Sequence, residues 1–267
     1  MKDFSAEFDK IKNLVISGKP FAFSRFSDGE VTVLQNNVVV LAKDHFIQGD
    51  LHGDEVKFDG VYLPEEQKEF RPEKHEFYQK KLVEAFKFRK ENYFKGIPSQ
   101  GASYGDVSWK FCKELYGEGD DEHLTFASVM INGNYHRFLT EIVPEFSLRK
   151  VVMICNENAK FENLPFKVVK DFRCGTNCMI NNYNLIGEIG KWIEDNDIKD
   201  HTFLFSAATL SNYLIYELFK NYSDNQYIDI GSSLGYHLAL KGCQYRGYLN
   251  FYWNHGGALD HGDNKWD

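Results

Sequence analysis

Short apolar runs and segments with helical spacing alternate through the second half of the chain. Apolar, β-branched runs of about four to eight residues predict strands, and apolar positions three or four apart predict helices. The predicted strands are 124–129, 150–155, 166–169, 201–206 and 227–230, and the predicted helices are 135–142, 179–193 and 211–220. This alternation predicts an α/β, Rossmann-like fold with a mostly parallel sheet flanked by helices. Such sheets bind ligands at the carboxyl ends of their strands, so the residues after each strand are the first candidates for a site.

The beginning of the chain has fewer clear elements. Apolar runs at 21–26 and 37–42 predict two strands, and a polar turn at 27–30 follows the first of them. The stretch 44–72 is polar and rich in Gly, Asp and Glu. This composition predicts a long loop, of a kind that can serve as an active-site flap.

Two helices are predicted before the alternating half begins. They cover 74–91 and 107–116, and a loop containing Gly, Ser and Pro separates them at 96–105. We interpret 1–267 as a single domain, in which 44–122 is a candidate inserted region made of a loop and helices.

Composition restricts the class of protein. The 267 residues are 43% hydrophobic, which is enough for one sizeable core. With 31 basic and 39 acidic residues the formal net charge is −8, so the chain has no general attraction for nucleic acid or anionic membranes. A phosphate-bearing substrate would therefore need a local cation, such as a bound metal ion or a few Arg and Lys side chains.

The sequence carries no sign of export or membrane insertion. Its first ten residues are polar with mixed charge, and no apolar run approaches membrane-spanning length. We therefore expect a cytoplasmic protein whose five cysteines are reduced. Cys174 and Cys178 form a C-x3-C pair, but a zinc site needs two further ligands at suitable spacing, and none lies nearby in the sequence.

Two acidic residues follow the first predicted strand. Asp28 and Glu30 flank Gly29, which we expect to let the chain turn so that both carboxylates face one point. A carboxylate pair suits Mg²⁺ or Mn²⁺, hard cations that take oxygen ligands and share them with a diphosphate. Arg25 adds a planar guanidinium suited to phosphate oxygens. Asp-Gly is also common in surface turns, and that structural alternative stays open.

A second candidate follows the strand predicted at 201–206. This strand runs into small residues, among them Ala208 and Thr209, and then into a helix near Ser211. Small residues let a ligand approach the backbone, and the start of a helix offers free N–H groups to phosphate. An ordinary turn in which Thr209 or Ser211 caps the helix explains the same residues equally well.

A third motif, at 227–235, places Asp229, Gly231 and Gly235 at the end of the last predicted strand. An acidic residue and two glycines after a strand are typical of the cofactor-binding motif of S-adenosylmethionine-dependent methyltransferases. That class of enzyme continues with several further βα units, whereas few residues follow Gly235 here. The structural alternative is a last strand whose Asp229 caps a turn or binds a hydroxyl group.

Together these three motifs resemble the GT-D glycosyltransferases, the third structural type of nucleotide-sugar-dependent transferase. That family begins with a strand leading to an Arg-x-Gly-Asp-Gly-Glu-like motif, which 25–30 resembles. Its C-terminal half carries an apolar strand, a Gly-Pro-Thr-like turn, a helix and an Ile-Asp-Ile-Gly segment, and 204–218 and 228–231 follow that order. The family also has an Asn ahead of a helix, which Asn177 resembles. The chain departs from the pattern at Ser27, at Ala208-Thr209 and at 232–237.

The resemblance implies transfer of a hexose from a nucleoside-diphosphate sugar, expected to be a UDP-sugar, to a carbohydrate or glycosylated acceptor. It implies that Asp28 and Glu30 bind Mn²⁺ or Mg²⁺ and that Arg25 assists with charge on the leaving diphosphate. It also implies that a further set of residues binds the donor, namely Arg25, Asn177, Ala208, Thr209, Ser211 and Asp229.

Two alternatives and one gap remain. The chain could be a methyltransferase that uses 229–235, or a non-enzymatic carbohydrate-binding module, which its 23 Phe and 15 Tyr residues would suit. No catalytic base stands out among His45, Asp50 and Asp106, which lie in polar segments. The tail from His255 to Asp263 holds further candidate metal ligands, and Trp253 and Trp266 could dock it, but we expect a flexible, solvated terminus there.

Overall fold

The computed structural model of the chain describes residues 2–49, 54–100, 105–117, 122–257 and 266. Within these residues the chain forms one sheet of seven strands and one of four. The strands are β1 (Phe21–Arg25), β2 (Val39–Leu41), β3 (His45–Gly49), β4 (Glu55–Asp59), β5 (Lys68–Phe70), β6 (Tyr93–Ile97), β7 (Leu124–Phe126), β8 (Lys150–Asn156), β9 (Val168–Cys174), β10 (His201–Ser206) and β11 (Gln226–Asp229). The helices are α1 (Phe4–Ser17), α2 (Asp28–Leu34), α3 (Pro72–Lys87), α4 (Gly105–Tyr116), α5 (Tyr135–Arg137), α6 (Cys178–Asn181), α7 (Leu185–Asp195), α8 (Leu210–Asn221) and α9 (Gly247–His255).

The seven-stranded sheet forms the centre of the molecule. Its strands run in the order β7-β6-β1-β11-β10-β8-β9, and all the pairings between these described strands are parallel. Strands β6, β10 and β11 are buried at nearly every position, as expected for a parallel sheet flanked by helices. The predicted α/β, Rossmann-like fold with a mostly parallel sheet is confirmed.

The strand register aligns the carboxyl ends of the central strands. Phe23 of β1 pairs with Ile228 of β11, and Phe205 of β10 pairs with Asp229 of β11. On the other side of β1, Arg25 pairs with Gly96 of β6. The residues that follow β1, β10 and β11 therefore emerge together at one edge of the sheet, where parallel sheets bind ligands.

Helix α8 fixes the end of β1 at this edge. It is buried along most of its length and packs against β1 and β11. Asn212 Nδ2 donates hydrogen bonds to Ser24 Oγ at 3.0 Å and to Arg25 O at 2.7 Å. None of the described helices is both long and apolar enough to span a bilayer.

The prediction of a long loop at 44–72 is wrong. The stretch contains β3, β4 and β5, which form with β2 an antiparallel sheet in the order β4-β3-β2-β5. The sequence of β4, Glu-Val-Lys-Phe-Asp, alternates polar and apolar residues as a strand does, although every one of its residues is exposed. The polar composition of the whole stretch hides this short signal. The region 44–122 is also not wholly an insertion, because β6 lies in the seven-stranded sheet between β1 and β7.

Helix α1 lies in a segment for which the polarity pattern predicts no element. Its buried residues Phe8, Ile11 and Val15 are spaced three and four apart, as on one face of a helix. Asp3 caps the helix by accepting a hydrogen bond from Ala6 N at 2.8 Å, and Gly18 ends it with a φ of 67°. The signals for α1 are therefore present in the sequence, and mixed charge around them obscures the pattern.

Strand β6 is likewise hidden by a charged residue. Lys95 is fully buried and its ammonium donates a hydrogen bond to the carbonyl of Phe88. The rings of Tyr93 and Tyr116 lie 4.6 and 4.8 Å from Lys95 Nζ and help to accommodate its charge. Because Lys is almost never fully buried without a partner, the sequence gives no reason to place it in a central strand.

The second half follows the predicted order with changed boundaries. The helix predicted at 179–193 is divided into α6 and α7, since Asn182 leaves the helical conformation and its Oδ1 accepts a hydrogen bond from Gly175 N at 3.1 Å. The helix predicted at 135–142 is α5 followed by a π-helical turn and a 3-10 helix. The strand predicted at 166–169 is β9, which begins and ends later in the chain.

Candidate active site

A cleft of about 380 Å³ lies at the carboxyl ends of β1, β10 and β11. Most of the predicted site residues line it, namely Arg25, Asp28, Glu30, Asn177, Ala208, Thr209 and Asp229. Ser211 does not, because it is fully buried and its hydroxyl accepts a hydrogen bond from Ala207 N at 3.2 Å. The fold thus brings together residues up to 204 positions apart in the sequence.

The two acidic residues lie in the first turn of α2, which begins just after β1. The structure therefore has a helix where the sequence predicts a turn at 27–30. Gly29 does not supply an unusual backbone conformation here, because its φ is not positive. A Cβ on Gly29 would lie 3.0 Å from Lys68 Nζ, so this glycine instead leaves room for a cation beside the carboxylates of Asp28 and Glu30.

Both carboxylate oxygens of Glu30 accept hydrogen bonds. Oε2 accepts from Ser27 N at 3.1 Å, as the third residue of a capped helix often does, and Oε1 accepts from Thr209 Oγ1 at 2.8 Å. Glu30 is 9% exposed and Thr209 is 5% exposed. The two bonds hold the carboxylate in one orientation, and each oxygen keeps a second lone pair that a metal ion can use.

Asp28 is held differently from Glu30. Its side chain is exposed to the cleft and accepts no hydrogen bond from the part of the chain that the structure describes. The cleft walls still remove much of the surrounding water, and this desolvation, with the negative charge of Glu30, raises the pKa of Asp28. The positive charges of Lys68, Arg246 and Arg25 oppose that rise. A divalent cation beside Asp28 would likewise favour its ionised form.

Asp229 joins the ends of two neighbouring strands. Its Oδ2 accepts a hydrogen bond from Arg25 N at 3.2 Å, and its Oδ1 accepts one from Gly231 N at 2.9 Å. Asp229 is 5% exposed, and burial raises its pKa to about 7 against the opposing charge of Arg25. This geometry gives Asp229 a structural role in the turn after β11, in addition to its place in the cleft wall.

Arg25 is positioned by a carbonyl group and by a glycine. Its Nε donates to Ala127 O at 2.6 Å. Gly231 has a φ of 51°, and a Cβ there would lie 2.0 Å from Arg25 Nη1. Any side chain at this position would displace the guanidinium, so Gly231 makes room for Arg25 as Gly29 makes room for Lys68.

The turn between β10 and α8 presents Ala208 to the cleft. Ala208 is exposed and has a φ of 45°, a strained conformation for a residue that carries a Cβ. The N–H groups of Leu210, Ser211 and Asn212 donate to carbonyl groups three residues earlier, so they are not the free helix N–H groups that the sequence predicts. A ligand at this edge would meet Ala208 and Thr209.

Asn177 connects the two sheets. Its backbone N–H donates to Gln67 O at 3.1 Å, and its side-chain Oδ1 accepts from Glu69 N at 3.2 Å. These bonds lie on either side of Lys68 in β5. That Asn177 contacts a sugar donor stays a prediction. In the structure, the two hydrogen bonds of Asn177 hold β5 in place.

The C-x3-C cysteines line the cleft with both sulfur atoms close to backbone carbonyls. Cys178 Sγ lies 3.2 Å from Ala207 O, and Cys174 Sγ lies 3.4 Å from Cys155 O. Across the described ranges, no three His, Cys, Asp or Glu side chains converge closely enough to hold a metal ion on their own.

The donor chemistry around Asp28 fits a metal that arrives with its substrate. Mg²⁺ takes one or two protein carboxylates and completes its shell with water and substrate phosphate oxygens, and Mn²⁺ prefers the same ligands. Asp28 offers an unbonded carboxylate, and Glu30 offers the remaining lone pairs of a fixed one. Two protein ligands are therefore enough if a diphosphate supplies others.

None of the described candidates for a catalytic base lines the cleft. His45 lies on β3, with its Nδ1 2.7 Å from Asp44 Oδ1, and Asp106 is exposed in the first turn of α4. Asp50 lies outside the described residues.

The C-terminal tail is docked at one described residue. Trp266 is 2% exposed, and its ring packs against Phe126 at 5.1 Å and Trp109 at 6.3 Å between ring centroids. The expectation of a solvated terminus is therefore wrong at this residue, while 258–265 lie outside the described part of the chain.

Two cations that sequence reasoning does not single out also line the cleft. Lys68 reaches it from β5, and Arg246 reaches it from the residue before α9. Neither residue belongs to a motif or follows a strand of the seven-stranded sheet. The one hint in the sequence is Gly29, which has no side chain at the point where Lys68 approaches α2. That hint can be interpreted only when the position of Lys68 is known.

No protein-family profile matches the sequence, and no curated protein matches it. Two solved structures resemble the fold. One is a selenomethionine-substituted structure of domain of unknown function 1792, with a TM-score of 0.55, 11% identity, and coverage of 94% of this chain and 79% of that chain. The other, of the same domain and described as having a distinct glycosyltransferase fold, has a TM-score of 0.54 with the same identity and coverage. At this identity the likeness concerns the fold alone, and it agrees with the GT-D-like fold that the sequence implies.

Proposed function

We propose that this protein is a metal-dependent glycosyltransferase. It moves a hexose from a nucleoside-diphosphate sugar, with UDP as the expected nucleotide, to a carbohydrate or glycosylated acceptor. Two facts about the fold support the proposal, namely the glycosyltransferase fold described for a similar structure and the position of the cleft at the carboxyl ends of parallel strands.

One observation carries the proposal. An unbonded carboxylate, Asp28, and a fixed carboxylate, Glu30, share the cleft with the cationic side chains of Arg25, Lys68 and Arg246. Carboxylates alone would suit many metal sites, and cations alone would suit many anion sites. Their combination suits a metal ion together with a diphosphate.

The chemistry requires negative charge to be stabilised on the leaving group. When the bond between the anomeric carbon and the phosphate oxygen breaks, the electron pair stays with the diphosphate. Mn²⁺ or Mg²⁺ held by Asp28 and Glu30 would act as a Lewis acid on that charge. Arg25, whose Nε is tied to Ala127 O, can direct its remaining N–H groups toward a phosphate oxygen.

The surrounding residues prepare the site before the ligand binds. Ser27 N and Thr209 Oγ1 hold Glu30 in one orientation, so little rearrangement is needed when a metal arrives. Ala208 exposes only a methyl group in the turn after β10, which leaves the backbone there open to the donor.

A ligand panel in a thermal-shift experiment tests the proposal. A nucleoside diphosphate with Mn²⁺ should raise the melting temperature by several degrees at saturating concentration, because ligands that bind only the native state stabilise it. S-adenosylhomocysteine should do so for a methyltransferase, and free glycans alone should do so for a carbohydrate-binding module. A shift with either of these, and none with UDP, GDP, ADP or CDP, would contradict the proposal.

A further inference from the structure

Lys68 is held over the carboxylate pair by a clamp that leaves its ammonium group available. Asn177 binds the backbone on both sides of it, through Gln67 O at 3.1 Å and Glu69 N at 3.2 Å. This fixes β5 against the turn that follows β9, so Lys68 faces the cleft from the four-stranded sheet. Its side chain is half-buried, although Lys usually remains exposed.

The helix opposite is built to receive that ammonium group. A Cβ on Gly29 would lie 3.0 Å from Lys68 Nζ, a tight contact that would make the ammonium group move by a few tenths of an ångström. Glycine favours a helix less than alanine does, and Gly29 has no positive φ that would require a glycine. The space for Lys68 therefore explains a glycine that α2 itself does not need.

Arg246 completes a second cationic position. It immediately precedes α9 and lines the same cleft, but its side chain does not cap the helix. Within the described ranges, neither Lys68 nor Arg246 donates a side-chain hydrogen bond or forms an ion pair within 4.0 Å. The positive charges of both residues nevertheless act to lower the pKa of Asp28, that of Lys68 more strongly than that of Arg246.

Because the cleft carries an excess of negative charge, binding of an anionic ligand depends on the positive charges of Lys68 and Arg246. The described wall contains more carboxylates than cations, since Glu65, Glu66 and Glu69 add to those already discussed. An anionic ligand would be repelled without local positive charge. Arg25 already uses its Nε on Ala127 O, whereas Lys68 and Arg246 keep all of their donors.

We infer that Lys68 and Arg246 bind the terminal phosphate of a nucleoside diphosphate, with Asn177 and Gly29 positioning Lys68. This rests on the proposed function and adds to it the two residues that select a diphosphate over a monophosphate. The residues that select the diphosphate would then lie outside the seven-stranded sheet, in the four-stranded sheet and in the segment before α9.

The test compares a nucleoside diphosphate with the monophosphate of the same base by calorimetry, in Mn²⁺ and in EDTA. UDP, GDP, ADP and CDP are titrated into the wild-type protein first, and the tightest is kept. Lys68→Met and Arg246→Met should each lower diphosphate affinity by about tenfold, as expected for loss of one charge-assisted contact. Monophosphate affinity should fall much less, so the ratio of the two affinities shrinks.

Matched controls separate charge at the cleft from charge elsewhere. Lys57→Met removes a lysine from the exposed strand β4 of the same small sheet, and Lys241→Met removes one from the segment before α9. Both should keep the wild-type affinity ratio. Lys68→Arg keeps the charge and should retain most of the preference for the diphosphate even if Lys68→Met proves unstable.

A second readout has the opposite sign. Removing the positive charge of Lys68 should tighten binding of Mn²⁺ alone, because the carboxylates beside it then carry a less compensated charge. An unchanged ratio of diphosphate to monophosphate affinity in both Met variants, in a wild-type protein that binds the diphosphate, would overturn this inference and leave the proposed function standing. A wild-type protein that binds none of the four diphosphates, with or without Mn²⁺, would overturn both.

Discussion

The two sides of the cleft are built in different ways. The carboxylate side, defined by Asp28, Glu30 and Asp229, belongs to the edge of the seven-stranded sheet, and two of its three side chains accept hydrogen bonds on both oxygens. The cation side, defined by Lys68 and Arg246, comes from the four-stranded sheet and the segment before α9. Within the described ranges, neither of these two side chains donates a hydrogen bond or forms an ion pair within 4.0 Å.

This difference separates two tasks. Groups that are already bonded to the protein keep their positions and need little reorganisation, which suits the chemical step. Groups without partners are ready to bind an anion and gain the most when it arrives, which suits recognition of the substrate. We therefore expect changes on the carboxylate side to affect turnover and changes on the cation side to affect affinity.

The strongest way to test the carboxylate side is to remove its charges. Asp28→Asn and Glu30→Gln should each lower sugar transfer by roughly 10²-fold or more, since a metal supplies several kcal/mol to the transition state. The melting temperature without ligand should barely change or should rise, because close carboxylates repel each other. Gln at position 30 can still accept from Ser27 N and donate to the hydroxyl of Thr209.

Asp106→Asn is the matched control for these variants. Asp106 also lies in the first turn of a helix, α4, but it is exposed and away from the cleft. It should transfer sugar at the wild-type rate. Near-normal turnover in both cleft variants would remove the metal role of the pair, and a lower melting temperature with matching loss of activity would make the pair structural.

Asp229 tests how much of the carboxylate side is structural. In the unfolded chain an Asp ionises near its ordinary value of 3.8, whereas in the folded protein the pKa of Asp229 is about 7. Between these values the folded state holds the extra proton, so the free energy of unfolding falls as pH rises and levels off above about pH 7. From pH 4.5 to 7 this contribution is roughly 2–3 kcal/mol.

Asp229→Asn removes that pH dependence. Urea unfolding in EDTA should show the variant less stable than wild type near pH 4.5, since the amide cannot accept from both Arg25 N and Gly231 N. The gap should narrow toward pH 7 as wild type loses stability. Curves that stay parallel over this range would show that Asp229 does not titrate there.

Ala208 tests whether the donor meets the edge of the seven-stranded sheet. Ala208→Leu should lower nucleotide affinity about tenfold or more, because a larger side chain would occupy the exposed turn of the cleft. Ala239→Leu is the control, since Ala239 is also exposed at a positive φ, of 53°, and does not line the cleft. Equal affinity in the two variants would make the Ala208 turn structural only.

A change at Gly29, which separates Asp28 and Glu30 from Lys68, should have the smallest and most specific effect. Gly29→Ala should stabilise α2 by about 0.5–1 kcal/mol while lowering diphosphate affinity roughly two- to threefold, because Lys68 must shift. Gly187→Ala, in α7, should give a similar stabilisation with unchanged affinity, since a Cβ there meets nothing within 4 Å. Urea unfolding and calorimetry on the two variants distinguish crowding of Lys68 from a general helix effect.

The sequence identifies the carboxylate side because that side obeys general rules. Polar residues directly after apolar strands of a parallel sheet are expected at its ligand-binding edge, and Asp28, Glu30 and Asp229 meet that description. The α/β fold follows from the same alternation. The metal, the nucleotide and the sugar stay predictions, because side chains of one chain do not specify them.

The cation side could not be found in this way. Lys68 lies in β5, at one edge of the four-stranded sheet, and β4 at the opposite edge is exposed along its whole length. The stretch that contains both strands is polar, so its sequence looks like a loop. Arg246 belongs to no periodic pattern. Strand β6 could not be predicted for a related reason, because it contains the buried Lys95. In each case the position of a charged side chain depends on contacts with distant parts of the chain.

The metal dependence of diphosphate binding tests the central claim most directly. Calorimetry on the wild-type protein measures the affinity for the nucleoside diphosphate that the thermal-shift panel selects, UDP being expected, first with Mn²⁺ and then with EDTA. Our account predicts affinity at least about tenfold higher with Mn²⁺, because Asp28 and Glu30 would hold the metal and its charge would offset that of the diphosphate. Equal affinity in the two conditions would contradict a metal-dependent transferase.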